Sequence, residues 1–170
     1  ADLAMFLDNF GNDCEGLPCV DPEAEGLRVH EEGGRWQVDE GYEQQPAAQL
    51  RWQAAQSFCR WREWMELPTE AQWEFAATSA EGFCELAGEV SEWMWDHYDP
   101  DFYATCTSDC SNPSGPEEAT GLKSLRSTTC ADPASARLRA SMPPDSTSEQ
   151  VGLRCVRRQL SWSEYEPPER

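Results

Sequence analysis

The chain has no apolar run of the roughly 18 residues that a membrane-spanning helix needs. Histidine is scarce, with only His30 and His97, and none of the eight cysteines forms a Cys-x-x-Cys pair, so a zinc site has little support. Gly-x-Ser-x-Gly, Walker and Rossmann motifs are all absent, which leaves hydrolase and nucleotide chemistry without a basis. Positive charge is also in short supply. Thirteen Lys and Arg stand against 32 Asp and Glu, a formal net charge of −19. A chain this acidic repels nucleic-acid backbones and anionic lipid, so neither is an expected partner. The acidity fits plain solubility, and it also fits a salty or calcium-containing exterior. No leader segment is evident: the first residues already follow a helical pattern, as expected of a mature form or of a fragment.

What is abundant is tryptophan and cysteine. Eight tryptophans in 170 residues let a fold be built around a few large rings rather than many aliphatic side chains. Eight cysteines without metal spacing read as a disulfide framework, and hence as an oxidising, extracytoplasmic setting, either periplasmic or at the cell surface. Cys14 with Cys19 and Cys106 with Cys110 are close enough in sequence to close local rings.

Apolar positions at 3, 4, 6, 7 and 10 predict a short amphipathic helix over residues 1–10. Residues 20–34 read as acidic and irregular, and Arg35–Val38 alternates like a strand. A helix is expected over Arg51–Glu63, with Ala54, Ala55, Phe58, Cys59 and Trp61 on its apolar side. A second helix follows Leu67-Pro68, with Thr69 as N-cap and Gln72 completing a capping box. Beyond residue 80 the chain reads as loop with short strands, at Leu122–Leu125, Ala136–Ala140 and Val151–Val156. No internal repeat is visible.

Four segments in order carry a family resemblance. They are the helix ending Phe58-Cys59-Arg60-Trp61, the run Leu67-Pro68-Thr69-Glu70-Ala71-Gln72-Trp73-Glu74-Phe75-Ala76-Ala77, the stretch from Cys84 through Gly88 to Trp93, and Val151-Gly152-Leu153-Arg154-Cys155. Together, over residues 35–158, they resemble the formylglycine-generating-enzyme (sulfatase-modifying factor) family. The resemblance implies an α+β, C-type-lectin-like fold with two helices, short antiparallel strands and much irregular structure. It implies one domain over residues 1–158 whose opening strands are missing, followed by a tail over 159–170.

The same resemblance bears on chemistry. The family's enzymes carry a cysteine pair after an Arg-Gly-Gly-Ser-Trp motif. The matching stretch here runs from Leu125 through Arg126 and Ser127 to Cys130 and Asp132, without the glycines and without a second cysteine. A copper-thiolate oxidase needs both thiols, so a catalytically degenerate domain is expected. The two histidines lie too far apart in sequence for the iron site of a related branch. A calcium site carries over onto Glu85, the carbonyls of Gly88 and Val90, and Glu92. The alternative is that both glutamates only cap turns. The resemblance also pairs Cys59 with Cys155, which leaves Cys84 and Cys130 as partners at positions where relatives carry aromatics.

Function is expected to be non-enzymatic: a structural or binding subunit among other proteins of an envelope or extracellular assembly, with Trp162 and Tyr165 in the tail as partner contacts. Two alternatives are a lectin-like module binding through the surface of residues 126–148 and a divergent thiol oxidase using Cys130.

Overall fold

A computed structural model describes residues 1–63, 65–78, 88, 90–106, 110–129 and 132–157. The chain opens with helix α1 (Asp2–Phe10) and a hairpin of β1 (Val29–Glu32) and β2 (Arg35–Val38). Helices α2 (Trp52–Trp61) and α3 (Glu70–Thr78) follow. Next come β3 (Ser91–His97), the single-turn helix α4 (Phe102–Thr105), β4 (Lys123–Arg126), a 3-10 turn (Pro133–Arg137), β5 (Arg139–Met142) and β6 (Val151–Gly152). This is the mixed α+β architecture with few helices and short strands that the resemblance implies.

A four-stranded sheet in the order β5-β4-β3-β6 forms the centre. β3 pairs antiparallel with β4, placing Glu92 opposite Arg126 and Trp93 opposite Leu125. β4 pairs antiparallel with β5, placing Arg126 opposite Arg139. The contact of β3 with β6 is parallel, a departure from the all-antiparallel expectation. Because side chains alternate along a strand, Glu92, Met94 and Asp96 leave β3 on one side and Trp93 on the other.

The two sides are covered by different helices. Ala55 and Cys59 of α2 pack with Trp93, Leu125, Leu67 and Val151 in an apolar layer. On the opposite side α3 sets Trp73 and Ala77 against Met94 and Ala136. A third cluster joins α1, through Leu3, Phe6 and Leu7, to Val29, Leu50, Ala54 and Phe58. Two indoles anchor the backbone as well as filling space: Trp93 Nε1 donates to Leu50 O at 2.9 Å and Trp52 Nε1 to Met94 O at 2.8 Å.

Three cystines staple the described residues: Cys14–Cys19, Cys59–Cys155 and Cys106–Cys110. The capping box at α3 is reciprocal. Gln72 N donates to Thr69 Oγ1 at 3.2 Å, and Thr69 N to Gln72 Oε1 at 3.0 Å.

Several element boundaries differ from expectation. α2 stops at Trp61 rather than Glu63, because Glu63 turns left-handed at φ 58°. β4 lies one residue later than the stretch 122–125. Residues 136–140 divide between the 3-10 turn and β5, since Asp132 Oδ1 accepts from Ala134 N at 2.9 Å and starts a turn ahead of the strand. Only Val151 and Gly152 of the last expected strand are paired in the sheet, and the supposedly irregular residues 20–34 contain β1.

Candidate functional site

The α3 side of the sheet is lined with charge. Glu70, the first residue of α3, is 1% exposed and sits among three donors. Its Oε1 accepts from Ser124 Oγ at 2.6 Å and Arg139 Nη2 at 2.8 Å. Its Oε2 accepts from Arg139 Nε at 2.8 Å and Arg126 Nη1 at 3.1 Å. Burial alone would raise the Glu70 pKa, but the hydrogen bonds and charge from Arg139, Ser124 and Arg126 outweigh it, and the carboxyl is held below its ordinary value.

Arg126 is as buried as Glu70 and serves more than one partner. Its Nη2 donates to Glu74 Oε2 and to Ala136 O, both at 2.5 Å. Its guanidinium stands 5.2 Å from the centre of the Trp73 ring. Arg139 is held between the rings of Tyr103 and Tyr98, at 4.8 and 4.9 Å, and donates to Asp99 O and Pro100 O.

Trp73 links this group to a second carboxylate. Its Nε1 donates to Glu92 Oε2 at 2.8 Å. Arg154 completes the pair, with Nη2 at 2.9 Å from Glu92 Oε1 and Nε at 3.1 Å from both oxygens. Glu92 is thus committed to a guanidinium and an indole.

This geometry bears directly on the calcium expectation. Glu92 is one of its two side-chain ligands, and a resident guanidinium already supplies the positive charge there. Glu85 lies outside the described residues. Gly88 is exposed and Val90 half-buried. Among the described residues no group of three or more His, Cys, Asp or Glu is placed to hold a metal ion. The described part of the set does not fit calcium; Glu92 has the partners of a structural carboxylate.

The remaining expected site residues divide in two. Cys14, Cys19, Cys59, Cys155, Cys106 and Cys110 are all in cystines and cannot act as nucleophiles in this state. Cys84, Cys130, Trp162 and Tyr165 fall outside the described residues.

Sequence reasoning passed over Glu70, Arg126 and Arg139, the residues that organise this face. The sequence alone carries no signal for them: Lys123, Ser124 and Arg126 read as solvent-facing, and only the structure shows that all four residues of β4 are buried, where charges require partners on the covering element.

Two more ionisable groups lie at the far end of the face. Asp96 is fully buried; its Oδ2 accepts from Glu70 N at 2.9 Å. Lys123 Nζ donates to Trp95 O at 2.8 Å and stands 4.0 Å over the Trp52 ring. Apart from these charges, α3 and the 3-10 turn present two exposed apolar side chains: Phe75 is 80% exposed and Leu138, just after the turn, 68%. Arg126 ties together their neighbours Glu74 and Ala136.

The sulfatase-modifying factor enzyme 1-like domain family matches this sequence over residues 1–81 and 78–159. The chain belongs to that family. Among curated proteins it is similar to serine/threonine-protein kinase pkn1 of Chlamydia pneumoniae, at 26% identity over 54% of this chain and 20% of the kinase. Pkn1 of Chlamydia trachomatis serovar L2 matches at the same identity and shares. The chain therefore spans about a fifth of the length of these relatives. Among solved structures, PvdO from Pseudomonas aeruginosa aligns at 17% identity and a TM-score of 0.49, over 72% of this chain and 67% of PvdO. Treponema denticola variable protein 1 aligns at 20% identity and a TM-score of 0.39, over 52% and 46%.

Proposed function

We propose that this sulfatase-modifying-factor-like domain is a non-enzymatic, extracytoplasmic binding and structural module of a larger protein or assembly. The observation that carries the reading is the mutual pairing on the charged face: Glu70, Arg126, Arg139, Glu92 and Arg154 bond one another, Ser124 and Trp73, with Arg126 Nε and Asp96 Oδ1 left unpaired. A general acid, base or oxyanion donor has to be free to meet a substrate. Groups locked in mutual ion pairs serve a scaffold instead.

The cystines support an oxidising location. The kinase relatives, in which the matched region is a fifth of a longer chain, support a module within something larger. Phe75 and Leu138 supply an apolar contact at one edge of the surface of residues 126–148. Trp162 and Tyr165 of the tail add a second contact in this reading. Rigidity comes from cystines and ion pairs in this reading.

The test is the native assembly. Gentle extraction followed by sizing gives a high-mass species containing this chain, and Phe75→Asp with Leu138→Asp, or truncation after Arg157, releases it as a free monomer. A wild-type chain that is monomeric in its native extract overturns the proposal. So does conversion of a peptide cysteine to formylglycine by the purified protein, since that is the enzymatic alternative.

A further inference from the structure

A cavity of about 520 Å³ lies where α1, the β1–β2 hairpin and α2 meet the segments 42–48 and 149–153. That is the size of a small-molecule site. None of the paired charges of the α3 face lines it. Its larger apolar walls are Leu3, Val29, Val38, Phe58, Val90 and Leu153. Val29 and Val38 are directly paired across the hairpin, so both side chains leave the same face. Leu3, Val29 and Phe58 belong to the α1 cluster of the core.

Three chain segments are pinned around this space. Gln49 Nε2 donates to Glu25 O at 2.5 Å, and Gln49 N to Ser148 O at 3.0 Å. Two glycines allow the close approach: a Cβ on Gly152 would stand 2.5 Å from Ala47 O, and one on Gly26 would stand 2.7 Å from Glu149 Oε2.

The side-chain charges lining the cavity differ in whether they are spent. Asp2 is bonded to Arg62, and Glu43 Oε1 accepts from Gly41 N at 3.2 Å. Arg28 and Glu149 have no ion pair and no side-chain hydrogen bond among the described residues. Arg28 stands 4.4 Å from the centre of the Tyr42 ring, a contact that holds the guanidinium and spends none of its donors on a carboxylate. The two charges are neighbours. Glu149 Oε2 lies against Gly26, and the Cα of Arg28 is at most about 7 Å along the chain from that of Gly26. An unpaired guanidinium and an unpaired carboxylate beside one apolar space match a ligand with both charges at one end and an apolar group at the other. A pure anion meets Glu149 as a like charge, and a pure cation meets Arg28.

We propose that this cavity binds a free α-amino acid with a large apolar side chain. Arg28 takes the α-carboxylate, Glu149 takes the α-ammonium, and the side chain lies on Val29, Val38 and Phe58. The ammonium and carboxylate of an α-amino acid share one carbon, which suits the neighbouring positions of Glu149 and Arg28. Binding here uses neither Phe75, Leu138 nor the tail, so it stands or falls separately from assembly.

The test is isothermal titration of the full chain with L-phenylalanine, N-acetyl-L-phenylalanine and L-phenylalaninamide. The free amino acid is expected to bind at least about tenfold more tightly than either blocked form, because a blocked end leaves one charge of the site unmet. Arg28→Gln is expected to lose the preference over the amide, and Glu149→Gln the preference over the acetyl form. Both residues are exposed, so the melting temperature stays at the wild-type value. No binding of L-phenylalanine at about 10 mM overturns the proposal. So does equal affinity of the wild type for the free amino acid and either blocked form, a comparison that needs no variant. An Arg28→Gln or Glu149→Gln protein that keeps the wild-type preferences overturns it equally.

Discussion

At the scale of single residues, Glu70 is the side chain on which most others depend. Removing it leaves Arg126 buried without its main counter-charge and takes from Arg139 both of its carboxylate contacts. Glu70→Ala is therefore expected to cost about 3–5 kcal/mol in urea unfolding, far more than the loss of an exposed pair such as Arg157–Glu63. Lys123 gives a pH signature. Burial pushes its ammonium down from 10.5 to about 8, with the Asp96 charge pulling the other way. Between those values the unfolded chain binds more protons than the folded one, so this group's contribution to stability rises as pH climbs from about 8 to 10.5. The wild type is expected to gain urea midpoint over that interval relative to Lys123→Met, and a constant difference between the two would count against the assignment. None of this was legible from composition, because a charged residue in a strand reads as solvent-facing until the covering helix is known.

At the scale of elements, local chemistry was the most readable. Thr69 and Gln72 announced the start of α3, and each bonds the other's backbone. Thr69→Ala removes one half of the box and is expected to cost about 1 kcal/mol, a fall of roughly 2–4 °C in melting temperature for a chain of this size. The helix end at Trp61 was less legible, since the left-handed turn at Glu63 uses no glycine. The strands were least so. β6 is two residues long and its parallel partner is some sixty positions away in sequence, so no local pattern encodes the pairing. The expected calcium loop belongs here too. Glu92 was read as a calcium ligand, with turn-capping as the alternative; its partners are instead Trp73 and Arg154, and Arg154 lies outside the motif that pointed to it. Because Arg154 already neutralises Glu92, adding calcium or EGTA is expected to leave the melting temperature unchanged; a calcium-dependent rise would return Glu92 to the role of ligand.

At the scale of the whole molecule, the family resemblance carried the fold class, and the alternating character of β3 explains why it could not carry the rest. Both faces of that strand are buried, one under α2 with Trp93 and the other under α3 with Glu92, Met94 and Asp96. The sequence pattern does not say which face is charged. The long-range staple dominates the global energetics. Cys59 and Cys155 are separated by 96 positions, and replacing both with alanine is expected to cost about 4–5 kcal/mol in the chain-entropy picture, measured by urea unfolding. The same bond has a mechanical meaning. If the domain is stretched by its neighbours in a longer chain, tension enters along the early residues, crosses the sulfur bridge at Cys59 and leaves beyond Cys155. Residues 60–154, with the sheet and α3 among them, lie off the load path. Pulled in a force spectrometer, the oxidised protein would release only the slack outside that loop, and adding a reductant would roughly double the length set free.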